Sequence, residues 1–102
     1  MSHRALGPQF TEGESGVMSP HELTKYWDPN MGDPEKTRHW AGKGYLEGLA
    51  GDIKEHGMRN PVQLKAGRHA YIYDGHHRTL VALDLGMKEV PYEVVSGKPG
   101  EQ

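Results

Sequence analysis

Apolar positions change their period along the chain, and the changes mark its elements. Ser19-Pro20-His21-Glu22 has the form of a capping box with proline at the first helical position, so a short helix is expected from Pro20 to about Trp27, with Leu23 and Trp27 on one face. The stretch from Asp28 to Pro34 is rich in turn formers and reads as a loop. Leu46, Leu49, Ala50 and Ile53 then recur at i, i+3, i+4 and i+7, one apolar stripe of a helix that Gly57 closes. Gly44, Gly48 and Gly51 interrupt this helix; they either weaken it or permit close packing. Beyond Gly57 the pattern alternates. Pro61-Val62-Gln63-Leu64 and His69-Ala70-Tyr71-Ile72-Tyr73 read as two strands of a hairpin joined by a turn at residues 65–68. An apolar run from Thr79 to Leu85, stopped by Gly86, is a further helix, and Val90 to Val95 a third strand with Val90, Tyr92 and Val94 on one face. Helix, strand, strand, helix, strand is the order of a small α+β domain with a sheet packed against helices.

Composition sets the scale. Val, Ile, Leu and Phe total 17 of 102 residues and the formal net charge is −2, which fits a compact centre with unstructured ends. Residues 1–16 are expected to be a mobile arm, 17–95 the folded domain and 96–102 a tail. With no cysteine there is no disulfide framework and no thiol chemistry. The longest apolar run, Leu80 to Leu83, is far too short to cross a membrane, and the N-terminus has no apolar signal core, so a cytoplasmic protein is expected.

Candidate chemistry concentrates where a strand runs through Asp74-Gly75-His76-His77-Arg78 into a helix. The free N–H groups of a helix start carry the positive end of its dipole, Gly75 lets the chain turn sharply, and two imidazoles and a guanidinium add donors. Such a turn suits an anion, above all a phosphate. From Lys54 to Arg78 there are five basic and two acidic residues, a local charge of +3 in a chain of −2. The plainer reading is that Asp74 caps the helix and Arg78 pairs on the surface with Asp84 or Glu89.

From residue 49 to 94 the sequence resembles the ParB/sulfiredoxin superfamily. The resemblance rests on Gly51-Asp52-Ile53-Lys54-Glu55-His56-Gly57, on Asn60-Pro61-Val62, on the Asp74–Arg78 turn, and on Ala82-Leu83-Asp84-Leu85-Gly86 followed by Val90-Pro91. It implies a single mixed-sheet domain in which the Gly-x-x-Arg turn grips nucleotide phosphates, here through Gly75, His76, His77, Arg78 and Thr79. The nucleotide implied is ATP or CTP, with Mg2+. Sulfiredoxins have Gly-Cys-His-Arg at this place. Gly75, His77 and Arg78 match it, but His76 stands where the redox cysteine would, which excludes sulfinic-acid reduction. ParB partition proteins bind CTP and follow this domain with a DNA-reading helix-turn-helix. The sequence ends seven residues after the last strand, so no such reader is expected here.

The free-serine kinases share the Asp-Gly-His-x-Arg form and need an N-terminal catalytic glutamate, for which Glu22 is the nearest candidate. Short stand-alone chains of phages, labelled ParB-like nucleases, are similar too. Three function classes follow. The first is nucleotide or phosphate binding with phosphoryl transfer or hydrolysis, in which Asp74 holds Mg2+ or orients a histidine and His76 takes the nucleophile's place. The second is a non-enzymatic phage accessory protein that meets DNA phosphates or a host protein. The third is a metal-dependent nuclease with Asp74, His76, His77 and His69 as candidate ligands. His3, His21, His39 and His56 are expected at the surface. Among the aromatic residues Trp27, Trp40, Tyr45, Tyr71, Tyr73 and Tyr92, core packing competes with base stacking, with Trp40 placed against Leu46.

Overall fold

The computed structural model describes residues 10–66 and 70–95. Four strands and four helices follow in the order β1 (Ser15–Met18), α1 (Pro20–Leu23), α2 (Pro34–Ala41), α3 (Lys43–His56), β2 (Val62–Lys65), β3 (Tyr71–Asp74), α4 (His76–Leu85) and β4 (Val90–Val95). Short 3₁₀ turns at Thr24–Tyr26 and Pro29–Met31 join α1 to α2. The strands form one mixed sheet in the order β1-β4-β2-β3. β2 and β3 pair antiparallel as the expected hairpin. β4 lies parallel to β2, with Val62 opposite Tyr92 and Leu64 opposite Val94. This is a small α+β domain with a mixed four-stranded sheet, as the sequence predicts.

Helix α4 occupies the middle of the structure. Leu80, Val81 and Ala82 are essentially inaccessible to solvent. Ala82 belongs to the core that Leu23, Val62, Leu64, Ile72, Val90, Tyr92 and Val94 build over the sheet. Val81 instead joins Leu46 and Ile53 of α3 in a second cluster. A helix covered from two sides must be apolar on more than one stripe, which accounts for Val81 and Ala82 adjoining in the run.

Several boundaries differ from the sequence reading. Strand β1 begins within the segment expected to be an arm, where Ser15 to Met18 pair antiparallel with β4. The pairing starts earlier still, with Gly13 N–H donating to the Val94 carbonyl (2.9 Å) and Val94 N–H to that of Glu14 (2.8 Å). Phe10 packs edge-on against Tyr26 and Tyr92. Residues 1–9 and 96–102, the rest of the expected arm and the tail, lie outside the described residues, as does the hairpin turn at 67–69. The helix expected to reach Trp27 gives way at Leu23 to a 3₁₀ turn, and Trp27 itself is extended. The expected loop ends in α2, capped by Asp33, whose carboxylate accepts from Lys36 N–H (2.8 Å) with Pro34 at the first position. The α3 glycines have open space around them: a Cβ on Gly44, Gly48 or Gly51 would meet nothing within 4 Å, so close packing is not their role.

Candidate functional site

The Asp74–Arg78 segment forms a strand-to-helix turn with the helix starting at His76, three residues before the expected apolar run. Gly75 is the N-cap, at φ 116° and ψ 16°. A Cβ there would lie 3.1 Å from the Val62 Cα and 3.2 Å from the Arg78 Nη2, so both the backbone conformation and the approach to β2 require glycine. Gly75 brings no side-chain cap, and Asp74 ends β3 instead of capping the helix. The first-turn N–H groups of α4 therefore have no side-chain acceptor from a cap.

His76 is buried, 6% exposed, and its ring packs edge-on against Trp27 with centroids 4.8 Å apart. Its Nε2 is fully enclosed and has no hydrogen-bond partner. Burial lowers its pKa below the ordinary histidine value; the charges of Asp28 and Asp74 oppose that shift and His77 adds to it. Trp27 is itself fixed from α2. Its Nε1–H donates to Thr37 Oγ1 (3.1 Å), and the Thr37 hydroxyl donates to the Met31 carbonyl (2.9 Å). That pair of bonds gives the fully buried Thr37 its purpose in an otherwise polar helix.

His77 is half-buried and its ring stands edge-on to Tyr45, centroids 5.2 Å apart. Arg78 donates from Nη2 to the Pro61 carbonyl (3.1 Å), with Asp74 Oδ2 3.7 Å away, while its Nε is enclosed without a partner. The plainer surface pairing does not occur: Asp84 is held by Arg38 at 2.7 Å. Arg78 also lines a cleft of about 180 Å³ against the C-terminal half of α3 and the loop to β2. Thr79 is fully buried and its hydroxyl donates back to the Gly75 carbonyl (2.9 Å), so it braces the turn from within and does not present its oxygen outside.

Glu22 is exposed and its carboxylate pairs with Lys25 at 3.0 Å; the acidic groups whose charge bears on His76 are Asp28 and Asp74. No cluster of three or more His, Cys, Asp or Glu suited to a metal ion occurs among the described residues, and His69 lies outside them. Asp74 and His76 thus find no third ligand there. Of the histidines expected at the surface, His21, His39 and His56 are exposed and His3 is not described. Tyr92 packs in the core and Trp27 is partly buried against it, but Trp40, Tyr45 and Tyr73 are more than half exposed, so Trp40 does not buttress Leu46 from within. Asp28, whose charge bears on His76, carries no sequence signal of that role. It lies in the turn-rich stretch, where nothing local distinguishes a carboxylate near a histidine from an Asx turn.

Among solved structures, the chain resembles the C-terminally truncated chromosome-partitioning protein ParB from Caulobacter crescentus complexed with CTP-γ-S. The TM-score is 0.59 at 21% identity, over 85% of this chain and 47% of that one. It also resembles sulfiredoxin from Arabidopsis thaliana, with TM-score 0.59 at 15% identity over 86% of this chain and 91% of that one. No protein-family model and no curated protein matches the sequence. The chain has the ParB/sulfiredoxin fold, and it spans about half the length of the ParB chain it matches. No helix among the described residues is long and apolar enough to cross a membrane.

Proposed function

We propose that the protein binds a nucleotide through its phosphates at the Gly75–Arg78 turn. The observation that carries this reading is the set of polar groups left without partners in one place. The first-turn N–H groups of α4 have no capping side chain, and behind them Arg78 Nε and His76 Nε2 are enclosed and unpaired. Buried polar groups are nearly always satisfied, and leaving one unmade costs roughly 1–3 kcal/mol. An anion on the turn supplies acceptors to the helix start and favours the guanidinium beside it. The likeness to a ParB with a bound CTP analogue supports a nucleotide as the source of the phosphate.

Gly75, His76, His77 and Arg78 make the phosphate site, with Thr79 bracing it. If the bound nucleotide reacts, the chemistry is phosphoryl transfer or hydrolysis, to which the turn contributes positioning and charge stabilisation. Asp74 is the candidate carboxylate for Mg2+ beside the turn, and His76, which burial keeps neutral, is the candidate base.

Thermal melting of the wild type with ATP, CTP, ADP and GTP, with and without Mg2+, tests the proposal. A ligand at 100 times its Kd adds about 2.7 kcal/mol, a shift readily seen in a small domain. We expect a shift for at least one nucleotide, absent in Arg78→Ala and reduced in Arg78→Lys, with both variants giving the circular dichroism of a folded chain. A folded wild type unmoved by every nucleotide would overturn the reading.

A further inference from the structure

The turn meets α3 at two places, and they differ in character. His77 touches Tyr45 in the first turn of α3. Tyr45 is 57% exposed, and its ring stands edge-on to a residue of the phosphate turn. Around it the helix is bare, because Gly44 and Gly48 leave open space where side chains would stand. Arg78 lines the second place, the cleft of about 180 Å³ walled by apolar Leu49, Ile53 and Met58 and by polar Asp52 and Asn60. Seven residues separate Tyr45 from Asp52, which puts platform and cleft about 10 Å apart along the helix axis. Arg59 stands at the cleft, ion-paired with Asp52 at 3.2 Å, and the segment from Lys54 to Arg78 carries +3.

A mononucleotide has one base and fills one of these places. A phosphodiester inside a strand has a nucleoside on either side of its phosphate and fills both. A base paired and stacked within a duplex cannot offer its face to a side chain. We propose that this face takes a single-stranded nucleic acid: one internal phosphate sits on the turn, one base stacks on Tyr45, and the neighbouring nucleoside enters the cleft beside Arg78. The inference rests on the phosphate-turn reading and extends it from a lone nucleotide to a strand. Aromatic platforms flanked by cations are how single strands are held without regard to sequence.

The test separates the strand from the turn. Fluorescence anisotropy of a labelled oligo(dT) of about ten nucleotides is measured beside the binding of thymidine monophosphate and of inorganic tripolyphosphate, which has no base. The proteins are wild type, Tyr45→Ala, Tyr45→Phe and Arg78→Ala. We expect oligo(dT) to bind more tightly than thymidine monophosphate and more tightly than the same sequence in a duplex. Tyr45→Ala should weaken oligo(dT) roughly tenfold, the loss of one stacked base, while Tyr45→Phe keeps it and tripolyphosphate binding is unchanged in both. Tripolyphosphate binding that needs Arg78, with oligo(dT) no tighter than the monophosphate or indifferent to Tyr45→Ala, would overturn the strand and leave the turn standing. Failure of tripolyphosphate and oligo(dT) alike would remove the turn and the strand with it.

Discussion

At His76 the demands of folding oppose those of the proposed anion site. Its ring fills space against Trp27 and Nε2 is enclosed without a partner, so the folded protein holds it neutral. The unfolded chain takes up a proton on this residue near the ordinary histidine pKa of about 6.5. Because the folded pKa lies lower, the contribution of neutral His76 is fully present above about pH 6.5 and is lost as pH falls through the folded pKa. Urea denaturation at a series of pH values should show stability falling below about pH 6.5 more steeply in the wild type than in His76→Asn. Parallel curves for the two proteins would contradict the account. Gly75 allows an equally plain test. An alanine there must hold φ near 116° and bring its Cβ to 3.1 Å from backbone of Val62, so Gly75→Ala should cost about 2 kcal/mol or more in denaturant unfolding. A loss below a few tenths of a kcal/mol would mean the turn can relax without glycine.

The elements that were legible in the sequence are those whose burial has a period. The α3 stripe ends with Leu46 and Ile53 buried, and β4 alternates as expected with Val90, Tyr92 and Val94 inward. Strand β1 has no such signal. It is four residues long, three of them exposed, and it exists because β4 offers its edge, a long-range cause that local patterning does not contain. Helix α2 buries only Thr37, a polar residue kept for its bonds to Trp27 and Met31, so its apolar periodicity is weak. Its readable sign was Asp33-Pro34, an N-cap followed by proline, which the density of turn formers before it obscured. The α3 glycines illustrate an alternative that only coordinates could decide. With open space at Gly51, Gly51→Ala should raise stability by roughly 0.5–1 kcal/mol, seen as a higher melting temperature. A lower one would show that this position serves a contact.

Over the whole molecule, α4 joins core and site. Ala82 and Val81 fix it between sheet and α3, and its first turn is thereby set against β2, Trp27 and Tyr45 at once. The contiguous part of the site, Gly75 to Arg78, could be read from sequence because strand, glycine and cations adjoin. The side chains that pack against it could not. Trp27 and Tyr45 come from segments far earlier in the chain and reach the turn only through the packing of α1 and α3 on α4. Thr79 shows the converse: a hydroxyl at the right spacing is bonded inward to the Gly75 carbonyl. Inward bonding of Thr79 leaves the backbone amides and Arg78 as the donors of the proposed anion site. The most direct measurement is a ¹H–¹⁵N correlation spectrum titrated with CTP or ATP. The amides of His76, His77 and Arg78 should move first and furthest, saturably. Saturable shifts confined to other segments, or none at all, would contradict a phosphate site at this turn.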